Sequence, residues 1–440
     1  MSIVLRNMAE IENVPKEHLL EICQMYSYTS KDGSTVLTNF QYKGGKLLLP
    51  PNTVKLQKVA DILGTDIVDK RTKGKPLKEP FTLKDTFNLR DYQVVPAHEF
   101  VEYLKENQYG MLQGETGSGK TSVTTYVAGH FGCKVLVLCD MGSLQGQWEA
   151  AFNGVWGKKV QIVSSKDTEF ADVCCATFQL LNKNATLLEK ISEEFGLVIT
   201  DETHISAAES WKKVLLSINS YYRCGISATI FRKNYERDLL VDLIGPIAVE
   251  MYDENKLIPK INFVQTGVNF CSSSPDDYTT ILTDLAFNEQ RNALIISIIK
   301  KGTELNRKIL VIAPRVEQLK VLCEESKDFC KPFVYAGSTT LKQDLELKER
   351  LAAGEIDVII SANKCSKGVD LPSLDVLVIA TPTNNETNVV QWVGRVLRKC
   401  EGKPKPIVFD LVDGGSLAAA FKYNRTKWYK KMGFEIGTGG

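Results

Sequence analysis

The sequence predicts an α/β fold, with two doubly wound parallel sheets in tandem behind a smaller α+β region. Three observations carry this. Short β-rich apolar runs, Val135 to Leu138, Val173 to Ala176 and Leu197 to Thr200, alternate with helical stretches, the pattern of a parallel sheet covered on both faces. The alternation restarts after about residue 258 with Ile309 to Ile312, Val358 to Ile360, Val376 to Ile379 and Ile407 to Phe409, although no literal repeat is visible. Between the apolar lead-in Gln108 to Gln113 and a helical stretch from Ser122 to His130, Gly114-Glu115-Thr116-Gly117-Ser118-Gly119-Lys120-Thr121 fits G-x-x-x-x-G-K-[ST] in full.

At 440 residues the chain can hold two or three domains with full cores. Its 43% hydrophobic and 24% charged residues are ordinary for a globular protein, and no apolar run approaches bilayer-spanning length. Arg6, Asn7, Glu10 and Glu12 near the start are not the pattern of a secretory signal, so a cytoplasmic protein is expected. A net charge of +1 excludes a globally basic nucleic-acid binder but leaves room for a basic groove. The eleven cysteines are scattered with no C-x-x-C pair, which argues for buried free thiols over a disulfide framework or zinc site.

Residues 1–85 differ in texture from the rest of the chain. Val14 to Tyr26 reads as a helix, Thr35 to Leu49 as two strands around a hairpin at Tyr42-Lys43-Gly44-Gly45-Lys46, and Asn52 as the cap of a helix through Leu63. Lys70-Arg71-Thr72-Lys73-Gly74-Lys75-Pro76-Leu77-Lys78 is basic and poor in apolar residues, and reads as a solvated tether. The expected division is an accessory domain over 1–85 and two α/β domains over 86–257 and 258–440.

The chemistry starts from the glycine-rich loop. Gly114, Thr116, Gly117, Ser118 and Gly119 would cradle phosphates at a helix N-terminus, the glycines letting the backbone curl without Cβ clashes. Lys120 would reach the β- and γ-phosphates, and the Thr121 hydroxyl would hold Mg²⁺. Asp201-Glu202-Thr203-His204 follows the strand Leu197 to Thr200, at the carboxyl end where ligand groups of open α/β sheets belong. Asp201 would act on Mg²⁺ and Glu202 would polarise an attacking water, although alone two acids after a strand are equally a solvated turn. Gln93 carries an amide able to bond bidentately to adenine N6 and N7. Ser227-Ala228-Thr229 follows another short apolar run. Gln391-Trp392-Val393-Gly394-Arg395-Val396-Leu397-Arg398 sets Arg395 and Arg398 at i and i+3 on one helical face. There they suit arginine fingers on a γ-phosphate, the alternative being a basic surface helix.

Together, these stretches resemble the superfamily 2 helicases and translocases over about residues 87 to 412. Leu89-Arg90-Asp91-Tyr92-Gln93 looks like the Q motif, Gly114 to Thr121 motif I, Asp201 to His204 a DExH-type motif II and Ser227 to Thr229 motif III. Lys367-Gly368-Val369-Asp370-Leu371-Pro372 matches motif V, and Gln391 to Arg398 motif VI. The resemblance implies two RecA-like motor domains, with ATP and Mg²⁺ as cofactors. It implies that Arg90 and Gln93 join the nucleotide site and that Gly368 and Asp370 approach it from the second domain. His204 would couple motif II to Gln391 and to motif III, where Ser227 and Thr229 link hydrolysis to domain movement. Implied contacts to a nucleic-acid backbone are Thr177, Gln179, Pro314, Arg315, Gly337, Ser338 and Ser361. Motif Ia departs from the family: only Leu144, Gln147 and Trp148 conform, without the usual Pro-Thr before them. Motif III departs too, with Ile230 where proline often stands.

The hairpin Phe40 to Pro50, the ending Val408 to Asp413 and the stretch Arg425 to Phe434 are similar to phage UvsW-type branch-migration helicases. Asp201 to His204 and Ile244-Gly245-Pro246 look unlike DEAD-box RNA helicases. The expectation is a monomeric ATP-dependent DNA helicase or translocase that remodels forks and Holliday junctions in recombination, repair or replication. It would grip branched, duplex or single-stranded DNA without sequence preference, in a host cytoplasm if phage-encoded. Phe40 and Tyr42 are candidates for base stacking, and Trp148 and Trp392 are better read as core. An RNA helicase, a duplex translocase serving a partner nuclease, and a DNA clamp with a decayed ATPase stay open as alternatives.

Overall fold

A computed structural model describes residues 2–437, apart from 30–32, 34–35, 116, 141, 202–208, 229–233, 254, 271–277, 336–345, 348, 352 and 363–370. The chain divides into two compact units, Met1–Asp253 and Glu254–Gly440.

The first unit begins with seven short strands: β1 (Ile3–Leu5), β2 (Ala9–Glu12), β3 (Ser27–Thr29), β4 (Val36–Thr38), β5 (Gln41–Lys43), β6 (Lys46–Leu49) and β7 (Ile67–Asp69). Five of them form a sheet in the order β5-β6-β2-β1-β7, while β3 and β4 pair separately. The β5–β6 hairpin turns on Gly44 and Gly45, whose φ of 59° and 77° are the left-handed pair that a two-residue hairpin loop requires. The helices Lys16–Met25 and Thr53–Leu63 share one core with this sheet, in which Ile22, Leu56 and Val59 meet Ile3, Ile11 and Leu47. Asn52 caps the second helix by accepting from the Lys55 N–H at 3.1 Å, and Gly64 ends it in the left-handed conformation.

The basic stretch after β7 is not a solvated tether. Arg71 is buried, paired with Asp69 at 2.6 Å and stacked over the rings of Tyr109 and Tyr221. Thr72 and Gly74 make backbone bridges to Ser220 and Phe195, and Lys75 pairs with Glu194 at 2.7 Å. Tyr109 and Tyr221 hold Arg71 and Glu194 holds Lys75, so this part of the segment is laid down against the residues around the neighbouring sheet.

That sheet contains β8 (Tyr109–Gly114), β9 (Val135–Cys139), β10 (Gln161–Ile162), β11 (Val173–Thr177), β12 (Leu197–Asp201), β13 (Tyr222–Ser227) and β14 (Ile247–Met251). Its order is β10-β11-β9-β12-β13-β8-β14, with every pair parallel. Successive residues alternate between two cores. Val135, Val137, Leu197 and Ile199 enter one; Leu136, Leu138 and Val198 enter the other. Gly245, between the helix Asn234–Ile244 and β14, has a φ of 99°, and a Cβ there would lie 2.4 Å from the Tyr109 carbonyl oxygen.

The second unit repeats this plan with β15 (Lys260–Asn269), β16 (Ile309–Ala313), β17 (Pro332–Tyr335), β18 (Val358–Ala362), β19 (Val376–Ile379), β20 (Ile407–Gly414) and β21 (Glu435–Ile436). The order is β17-β18-β16-β19-β20-β15-β21, again all parallel. Counted from its own first strand, each seven-stranded sheet runs 3-4-2-5-6-1-7. The repeat that the sequence hides is therefore present as topology, and the two RecA-like domains in tandem are observed.

No described helix is long and apolar enough to cross a membrane.

Candidate active site

Three strands of the first unit end side by side. In the ladders, Gln113 on β8 stands opposite Ser227 on β13, and Ile226 on β13 opposite Asp201 on β12. The phosphate loop, Asp201 and Ser227 thus leave the same carboxyl edge of the sheet, where a doubly wound fold offers its ligands.

The loop's shape follows from its glycines. Gly117 and Gly119 have φ of 87° and 79°, and a Cβ on Gly119 would meet the Gln93 Nε2 at 2.4 Å. The helix Lys120–Ala128 then starts without a side-chain cap, leaving its first-turn N–H groups facing the loop, the arrangement that binds an anion. Lys120 folds across the turn, with Nζ donating to the carbonyl oxygens of Gly114 at 2.8 Å and Glu115 at 2.9 Å. Ser118 is buried within the turn, and Thr121 is half-buried in the first turn of the helix. These groups fit a triphosphate. The hydroxyl of Thr121 and the carboxylate of Asp201 are hard oxygen donors of the kind Mg²⁺ prefers.

Gln93 has different partners from those expected. It is buried at the start of the helix Asp91–Asn107, where its Oε1 accepts from the Arg90 N–H at 3.0 Å and its Nε2 donates to the Ser118 carbonyl at 2.7 Å. The Tyr92 hydroxyl donates to the same carbonyl at 3.0 Å, and Arg90 Nη1 donates to that hydroxyl at 3.0 Å. The amide braces the loop, and pairing with an adenine would require both of its bonds to break.

Asp201 is held by a residue that sequence reasoning placed only in the core. Trp148 is fully buried, and its indole Nε1 donates to Asp201 Oδ2 at 3.0 Å. A signal existed, since a buried indole N–H requires an acceptor. Ser227 is buried at the end of β13.

Thr116, Glu202, His204, Thr229, Gly337, Ser338, Gly368 and Asp370 lie outside the described residues. Of the other expected nucleic-acid contacts, Thr177 caps the helix Phe178–Lys183 by accepting from the Leu180 N–H at 3.3 Å. Exposed Gln179 donates to Asp140 at 2.9 Å, and Arg315 donates to the Thr279 carbonyl at 2.7 Å. Ser361 is not available for such a contact. It is wholly buried in β18 between Ile312 and Tyr335, with its hydroxyl donating to the Tyr335 carbonyl at 3.0 Å.

In the second unit, Gln391 and Arg395 are buried on the helix Glu386–Val396, as is Trp392. Arg398 lies beyond the end of that helix and is half-buried, so the two arginines do not share one helical face. β20 is tied to the following helix by a buried network. Arg425 pairs with Asp410 at 2.9 Å, the Tyr429 hydroxyl donates to the same carboxylate at 2.8 Å, and Arg425 also donates to the Thr383 carbonyl at 3.0 Å.

Residues 86–232 match the family described as type III restriction enzyme, res subunit, and residues 290–400 match the helicase conserved C-terminal domain. The chain is 26% identical over 444 residues to "Probable helicase D10" of Escherichia phage T5, covering 99% of this chain and 95% of that protein. It is 24% identical over 363 residues to "DNA 3'-5' translocase XPB2" of Sulfurisphaera tokodaii, covering 73% and 81% of the two chains. Among solved structures, T4 UvsW matches with 16% identity and a TM-score of 0.42, over 99% of this chain and 98% of that one. Two RecA-like sheets, a phosphate loop and both family matches define an ATP-driven enzyme of the helicase class. Within that class, the two domain matches and the phage relative support a superfamily 2 helicase. Its helicase domains imply use of ATP with Mg²⁺ and binding to nucleic acid.

Proposed function

We propose that this protein is an ATP-dependent DNA helicase or translocase that remodels branched DNA, forks and Holliday junctions, as a monomer in the cytoplasm. The observation that carries the motor reading is the alignment of the phosphate loop, Asp201 and Ser227 on one sheet edge. The DNA reading is supported by the motif pattern around Asp201 and by a relative named as a DNA translocase. Residues 1–85 form the accessory domain in this reading, ahead of motor domains over 86–257 and 258–440.

Lys120 exchanges its bonds to the Gly114 and Glu115 carbonyls for the β- and γ-phosphates. Thr121 and Asp201 would hold Mg²⁺, which would supply charge neutralisation at those phosphates. Glu202 orients the water, while Gln391, Arg395 and Arg398 stabilise the transferring phosphoryl group. His204, Ser227 and Thr229 pass the change in nucleotide state to domain movement, with Gly368 and Asp370 in the same circuit. Thr177, Gln179, Arg315, Gly337 and Ser338 grip the DNA backbone, so binding is sequence-independent and weakens with salt.

The test is conversion of a labelled Holliday junction and a labelled fork to products, with ATP and Mg²⁺. The wild type is compared with Lys120→Ala. Conversion by the wild type alone is expected; a junction left intact by an actively hydrolysing enzyme would overturn the branched-DNA assignment.

A further inference from the structure

The geometry points to Trp148 as a positioning residue for the magnesium-binding carboxylate, linking the helix Gly142–Trp156 to ATP hydrolysis. This rests on the role proposed above for Asp201. An indole has one donor and no acceptor, so the 3.0 Å contact can only run from Trp148 Nε1 to Asp201 Oδ2. The ring cannot easily re-aim. It is wholly buried in the core that contains Val137, Cys139 and Ile199, with its centroid 6.2 Å from that of Phe152. A donor fixed this firmly, bonded to the carboxylate, selects one orientation of Asp201 where the β12 ladder ends.

The same helix begins just after Asp140, whose carboxylate accepts from Gln179, one of the proposed DNA-backbone contacts. A continuous path therefore joins Gln179, Asp140, the helix, Trp148 and Asp201. Groups that orient a metal ligand typically change metal affinity about 10- to 100-fold when removed.

The experiment measures binding of a fluorescent ATP analogue to the full chain as Mg²⁺ is titrated, without DNA, alongside thermal melting. Trp148→Phe keeps a six-membered ring in the core but loses the donor. It should raise the Mg²⁺ midpoint about 10-fold while leaving Mg²⁺-free binding unchanged. Trp148→His keeps a donor on a smaller ring and should stay closer to the wild type than Trp148→Phe. A packing role would reverse that order, because Phe fills the site better. Should Trp148→Phe fail to fold, the His variant decides alone: a midpoint near the wild type supports the role, and a shift of about tenfold overturns it. Asp201→Asn separates the role of the carboxylate from that of the indole. A wild type with no Mg²⁺ response, or an Asp201→Asn variant that keeps it, removes the proposed role of Asp201. A wild-type midpoint in Trp148→Phe, with Asp201→Asn unresponsive, removes that of Trp148 alone.

Discussion

The side-chain amide of Gln93 closes on the phosphate loop, with Nε2 donating to the Ser118 carbonyl at 2.7 Å while Oε1 accepts from the Arg90 N–H at 3.0 Å. A brace of this kind supports the loop whatever base the nucleotide carries. Gln93→Ala should therefore weaken ATP and GTP binding alike, by about 10-fold, the value of one to two buried hydrogen bonds. Equilibrium binding of the two nucleotides checks this; a loss confined to ATP would mean that the amide reads adenine.

Lys120 is half-buried, and its ammonium donates to the loop carbonyls of Gly114 and Glu115. Its replacement by alanine should leave the melting temperature nearly unchanged while lowering hydrolysis at least about 100-fold, as loss of a phosphate-stabilising donor does. Steady-state hydrolysis with parallel calorimetry separates the two effects.

Among the bonds that tie the N-terminal region to the rest of the first unit, several converge on one buried carboxylate. Asp242, on the helix Asn234–Ile244, accepts from Tyr28 and from Asn39 at 3.1 Å, and pairs with Lys55 at 2.8 Å. Asn52 adds a bond to the Val241 carbonyl at 3.0 Å. Asp242→Ala leaves three donors without their shared acceptor and should cost about 1–3 kcal/mol in urea unfolding. Asp242→Asn retains an acceptor oxygen and should cost less. Equal stability of all three proteins would contradict the docking role.

Glu194 gives a pH-dependent prediction. Burial pushes its carboxyl up, but bonds to Lys134 at 2.6 Å and Lys75 at 2.7 Å outweigh this and hold it below the ordinary value of 4.5. A carboxylate lowered in the folded state stabilises the fold above its unfolded pKa, and that contribution disappears as pH falls through the folded value. Glu194→Gln should therefore be less stable than the wild type near neutral pH, with the gap closing below about pH 4.5. A gap of constant size across that range would contradict the ion-pair account.

Much of this architecture was legible because the central strands are apolar on both faces. Val135 to Leu138 and Ile309 to Ile312 announce themselves without any partner. Their order in the sheet did not, since crossovers through distant helices decide it. β1, β2 and β7 are three or four residues long and pair across the chain, too short for a periodic pattern. Arg71 looked like part of a solvated run because its aromatic partners, Tyr109 and Tyr221, are far away in sequence. In the site, motif spacing located the loop and Asp201 but said nothing of second partners. Gln93 turns inward to Ser118, Trp148 reaches Asp201, and Ser361 disappears between β16 and the edge strand β17. Arg398 left the face of Arg395 because the helix ends at Val396.

The most direct test of the central claim is the rate of ATP hydrolysis with no nucleic acid, single-stranded DNA, single-stranded RNA, linear duplex, fork and Holliday junction. Lys120→Ala and Glu202→Gln serve as inactive controls. A branched-DNA remodelling motor predicts the strongest stimulation by fork or junction; stimulation by RNA alone would contradict it.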